Sequence, residues 1–130
     1  MTSARARGDT WARAAFAVAV CANLVVLYWP RAVSQGGIPD ADKIVHVAIF
    51  AVVAATGLRA RIPIAWLVGL LVVQAVISEL IQHWFLVNRT GDPLDTAADL
   101  VGVAVGVFLG RKLASRTGVA TTKSGGSLSS

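Results

Sequence analysis

A chain of 130 residues that is 55% hydrophobic, only 15% charged and +0.67 in mean hydropathy is too apolar for an ordinary soluble domain. Its length allows one domain. The net charge of +5 and pI near 10.4 do not indicate nucleic acid, because the basic residues flank apolar runs and no basic–aromatic cluster suited to stacking bases is present; topology and anionic headgroups account for them better.

Residues 1–11 are a basic N-terminal segment, and the first apolar run covers 12–29. A cleaved signal peptide ending near Ala32-Val33-Ser34 competes for this run, which is long for such a leader. Cys21, the single cysteine, excludes an internal disulfide framework. It reads as a small lipid- or core-facing residue. A lipoprotein reading is disfavoured, since Val20 precedes it and apolar sequence continues to Trp29.

The second run is predicted over 41–58, with its polar start taken as the first helical turn. Asp40 can cap it, and Asp42 suits the positive end of the helix dipole. The third run, 64–87, follows Pro63 and best fits the roughly 20 apolar residues that cross a bilayer. The fourth, 94–113, starts with Asp92 as cap, Pro93 at the first helical position and Asp95 in the first turn. Short linkers at 30–39, 59–63 and 88–93 separate the runs, and the Ser/Thr/Gly-rich stretch 114–130 is expected to be disordered. The pattern predicts an all-α integral membrane bundle of four transmembrane helices.

Orientation follows from the basic residues. Arg5, Arg7 and Arg13 precede or open the first span, Arg59 and Arg61 lie between the second and third, and Arg111, Lys112, Arg116 and Lys123 close the fourth. Only Arg31, Lys43 and Arg89 fall on the other side. The positive-inside rule therefore predicts a multi-pass protein of the cytoplasmic membrane with both termini cytoplasmic. Trp29, Trp84 and Phe85 then fall at the outer interface, Trp11 and Trp66 at the inner one.

The informative residues are ionisable groups inside the spans, each costing roughly 2.5–3.5 kcal/mol at a helix centre. Asp42 and His46 are one turn apart, as are Asp95 and Asp99; Glu79 is followed by Gln82 and His83. Residues three and four apart share a helix face. The predicted topology brings all three sets to the outer side, with Lys43 and Arg89 at the same level. Gly102, Gly106 and Gly110 form a small-residue stripe that would let the fourth helix approach a neighbour closely, within the chain or in a homodimer.

In order and spacing, these motifs resemble the VanZ-like membrane proteins. That family has an Asp-Lys-x-x-His start to one span, here Asp42-Lys43-Ile44-Val45-His46, and a Glu-x-x-Gln near the end of the next, here Glu79-Leu80-Ile81-Gln82. An Arg, here Arg89, then leads to Asp-x-x-x-Asn-x-x-Gly, here Asp95-Thr96-Ala97-Ala98-Asp99-Leu100-Val101-Gly102. The resemblance covers about 40–112 and departs at Asp99, where the family pattern has Asn. It implies a four-helix core, a role in the bacterial cell envelope and, through the founding member, low-level teicoplanin resistance.

Three readings of the polar set stay open. Asp42, Lys43, His46, Glu79, Gln82, Arg89, Asp95 and Asp99 could hold the bundle together by interhelical hydrogen bonds. They could bind an envelope lipid or glycopeptide-related ligand, the cations meeting anionic groups and the acids meeting hydroxyl and amine donors. His46, Glu79, His83, Asp95 and Asp99 could instead supply the nitrogen and oxygen ligands of a metal or catalytic site in a membrane enzyme acting on a lipid-linked substrate. No His-Glu-x-x-His motif and no evident nucleophile support that third reading, so no catalytic residue, metal ligand or cofactor is assigned. The expected partners are membrane lipids and the envelope ligand.

Overall fold

A computed structural model describes residues 2–29, 41–85 and 93–122. They form α1 (Thr2–Tyr28), α2 (Ala41–Arg59), α3 (Ile64–Phe85) and α4 (Pro93–Thr122), with no strand among the described residues. Each helix contains a segment long and apolar enough to cross a membrane: Ala6–Tyr28, Ala41–Arg59, Ile64–Phe85 and Pro93–Arg116. In lipid a spanning backbone must satisfy its own amides, which favours helix for all four runs. The fold is therefore an all-α bundle of four candidate membrane spans.

The helices overrun the apolar stretches. α1 begins at Thr2 inside the expected 1–11 segment, and α4 continues to Thr122 although 114–130 was expected to be disordered. Hydropathy marks only what lipid covers, whereas the intrahelical ladder continues wherever the sequence tolerates it. Polar side chains help at both ends. Thr10 Oγ1 donates to the Ala6 carbonyl at 3.0 Å, and Ser115 Oγ donates to that of Lys112 at 2.8 Å. The expected caps Asp40 and Asp92, the linker 30–39 and residues 123–130 lie outside the described residues.

The turn between α2 and α3 is closed by two characteristic hydrogen bonds, Ile62 N to Gly57 O at 3.1 Å and Arg61 N to Leu58 O at 3.0 Å. This is the Schellman arrangement, in which the residue past the helix end adopts a left-handed conformation usually given to glycine. Here it is Arg61, with φ of 61°. Pro63 follows and prevents the helix from continuing.

The up-down order makes alternate helices parallel. α2 and α4 share the most extensive contact, α1 packs on α2, and α3 closes the bundle. Phe50, Val53 and Ala54 of α2 are the centre of the core, meeting Leu67, Leu71 and Ala75 of α3, Leu27 of α1 and Val103 of α4. The outward faces are apolar too, with Val18, Val52, Leu70, Val73 and Phe108 exposed. Cys21 is exposed among them. A water-soluble bundle would carry polar side chains there; this surface suits acyl chains. All four tryptophans are exposed, with Trp11 and Trp66 at one end and Trp29 and Trp84 at the other.

Apolar side chains gain little by leaving lipid for a neighbouring helix, so close backbone packing has to hold such a bundle. The glycine stripe provides it. A Cβ on Gly102 would come within 2.5 Å of the Val47 carbonyl oxygen, one on Gly106 would collide with the Ala51 backbone, and one on Gly110 would lie 2.9 Å from Leu58 Cδ1. The stripe is thus occupied within the chain by α2, and a homodimer would have to use another face.

Candidate functional site: a polar seam between α2 and α4

At the end opposite the termini, the parallel α2–α4 contact changes from small residues to ionisable ones. One turn beyond the Val47–Gly102 contact, His46 Nδ1 lies 2.7 Å from Asp99 Oδ1. Both residues are buried, at 3% and 1% exposure. The close approach enforced by Gly102 and Gly106 brings the imidazole and carboxylate into contact across the two helices. Towards an ionised Asp99, Nδ1–H is the donor, which fixes both tautomer and ring plane.

Asp42 precedes His46 by one turn and Asp95 precedes Asp99 by one turn, so both acids extend the seam toward the same end. Asp95 is buried and Asp42 half-buried. Each lies in the first turn of its helix, where the dipole favours a carboxylate. Lys43 is half-buried beside Asp42 in sequence.

α3 contributes differently. Its buried stripe runs Leu67, Leu71, Ala75, Ser78, Gln82. Gln82 Nε2 donates to the Leu27 carbonyl at 3.0 Å. That oxygen lies in the last turn of α1, where carbonyls have no intrahelical donor. Gln82 therefore ties α3 to α1 and does not join the His46–Asp99 pair. Glu79 is half-buried, with its Oε1 fully withdrawn from the surface. His83 is exposed. Arg89 lies outside the described residues. Among the described residues, no group of three or more His, Cys, Asp or Glu side chains converges as metal ligands would.

A second polar contact lies deeper, between α1 and α3. Gln74 Nε2 donates to Asn23 Oδ1, and Asn23 is 1% exposed with its Nδ2 buried and making no hydrogen bond. The sequence carried a signal for it. Gln74, Ser78 and Gln82 recur every fourth residue along the third apolar run, and Asn23 is the lone amide of the first. Ser78 spends its hydroxyl on the Ala75 carbonyl at 2.9 Å.

The arrangement can therefore do two things chemically. It holds an oriented imidazole against a buried carboxylate, and it places two further acids at the mouth of the same seam. No protein-family model, curated protein or solved structure matches the chain.

Proposed function

We propose that the chain is a VanZ-like multi-pass protein of a bacterial cytoplasmic membrane, with both termini cytoplasmic. In this reading it binds an envelope-related ligand in the outward-facing seam and affects glycopeptide (teicoplanin) susceptibility without catalysing a reaction. The observation that carries the proposal is the buried His46–Asp99 pair with Asp95 and Asp42 one turn further out. Burying charge at membrane depth is costly, and a scaffold alone needs only amides or hydroxyls. Acids accept hydrogen bonds from the hydroxyl and amine groups of sugar–peptide ligands, and Lys43 with Arg89 would meet their anionic groups.

The test is expression in a glycopeptide-sensitive bacterium, with wild-type chain compared with Asp95→Asn and His46→Ala at matched membrane abundance. The reading expects altered teicoplanin susceptibility with the wild type and its loss in both variants while protein level holds. Loss of the protein itself would mean a scaffold, and full activity of both variants would end the binding reading. Labelling of cysteines introduced at 46 and 79 in a Cys21→Ser background should place both near the outer face.

A membrane enzyme acting on a lipid-linked envelope substrate is the second reading. It is favoured by the imidazole–carboxylate contact itself, since an oriented imidazole is a common general base. Mass spectrometry of lipid extracts from cells with and without the chain decides it. A converted lipid that disappears with His46→Ala would move the assignment to catalysis.

A further inference from the structure

The opposite end of the bundle carries a feature that the seam does not explain. The start of α1, the end of α2 and the far part of α4 border a half-open cavity of about 700 Å³. Arg59 and Arg61 line it together with Asp9, Trp11 and Thr56. We propose that this cavity holds the phosphate headgroup of an anionic membrane lipid, with Arg61 as the principal contact and Asp9 as the group that positions it.

Three observations converge. The first is conformational. Arg61 occupies the left-handed position of the α2 cap, where glycine would be unstrained. A residue held in such a region invites a functional explanation. An arginine serving only as a topology signal could sit at Ala60 with no strain. The second is electrostatic. Arg61 Nη2 lies 3.4 Å from Asp9 Oδ1, a long and largely exposed contact that favours one orientation of the guanidinium and leaves most of its five N–H donors for another acceptor. Arg59 on the same wall adds a second fork of the kind that grips phosphate. The third is the lining. Trp11, Ala12, Ala15 and Leu58 supply apolar wall beside the cations, at the ends of segments that cross the membrane. A free phosphate has no use for that wall; the glycerol and upper acyl region of a lipid does.

Native mass spectrometry of the full chain in detergent tests this, with phosphatidylglycerol, phosphatidylcholine of the same acyl chains, or inorganic phosphate added. The wild type should retain phosphatidylglycerol over phosphatidylcholine by roughly tenfold, the scale of a charge-assisted hydrogen bond. Arg61→Gly preserves the turn, and Arg59→Gln is the second variant; each should remove most of that preference. Arg111→Gln, at the same end but outside the cavity lining, should leave it intact. Equal loss in all three variants would mean diffuse attraction and overturn the site. Unchanged preference in Arg61→Gly and Arg59→Gln would overturn it as well. Displacement of the lipid by millimolar inorganic phosphate would overturn the lipid assignment in favour of a free-anion site.

Discussion

His46 on α2 and Asp99 on α4 are joined at 2.7 Å although 53 residues separate them in the chain. The pair closes the polar end of the helix contact that Gly102 and Gly106 make possible. Its two partners are not equivalent to substitution. Asp99→Asn keeps an oxygen to accept from Nδ1–H, so we expect a stability loss below about 1 kcal/mol. Asp99→Ala leaves the buried imidazole nitrogen without its acceptor, and the loss should be about 1–3 kcal/mol. Unfolding in mixed micelles titrated with dodecyl sulfate measures both. If the two variants lose the same stability, the contact contributes nothing specific.

The glycine stripe and an isolated glycine make a matched comparison. A Cβ at Gly106 would meet the Ala51 backbone and Ala54 Cβ, whereas one at Gly69 would meet nothing within 4 Å. We expect Gly106→Val to cost about 1–3 kcal/mol by overpacking, or to prevent stable insertion. Gly69→Ala should be neutral or stabilising by up to about 1 kcal/mol, from helix propensity alone. The same micelle titration reads both, and equal tolerance would mean that α4 does not pack against α2 through the stripe.

Much of this was legible because lipid simplifies the rules. Apolar length located three of the helices, the second also needed its polar start read as a capped first turn, and the spacing of Gly102, Gly106 and Gly110 announced a close contact. Their partners were less visible: Ala51 and Ala55 of α2 lie in a run where alanine is as compatible with a lipid-facing surface. Helical spacing puts His46 on the face of Asp42 and Asp99 on that of Asp95, but spacing cannot say which helices pair. Gln82 shows that limit, since its donor goes to a main-chain oxygen of α1, and a carbonyl leaves no mark in a sequence. The helix ends past 11 and 113 were hidden for a related reason: polar residues look alike whether solvated in helix or in coil.

The Asn23–Gln74 pair allows a cleaner energetic test than the ionisable seam, because neither partner titrates. Gln74→Leu leaves the Asn23 amide buried without its donor, while Asn23→Leu with Gln74→Leu removes both polar groups. The single variant should be the less stable, and the double variant close to wild type. The coupling from the double-mutant cycle should be about 0.6 kcal/mol and at most about 1.7 kcal/mol, the average and maximum for interhelical hydrogen bonds in a membrane protein. A coupling near zero would show that the two amides find other partners once separated.

Arg61 should separate stability from binding. A non-glycine residue in the left-handed region costs roughly 1–2 kcal/mol, and its contact with Asp9 returns little because both side chains are substantially exposed, at 63% and 41%. Arg61→Gly removes the strain, keeps both closing hydrogen bonds of the turn, and gains backbone freedom in the unfolded chain. The net expectation is a variant as stable as the wild type or up to about 1 kcal/mol more stable. Asp9→Asn, which removes only the partner charge, should change stability by less than about 0.5 kcal/mol. Thermal unfolding followed by circular dichroism in lipid-free detergent is the measurement, since a bound lipid would add its own stabilisation to the arginine form. A clear loss of stability in Arg61→Gly under those conditions would mean that the arginine serves the fold, and the strain at its backbone would need no ligand to explain it.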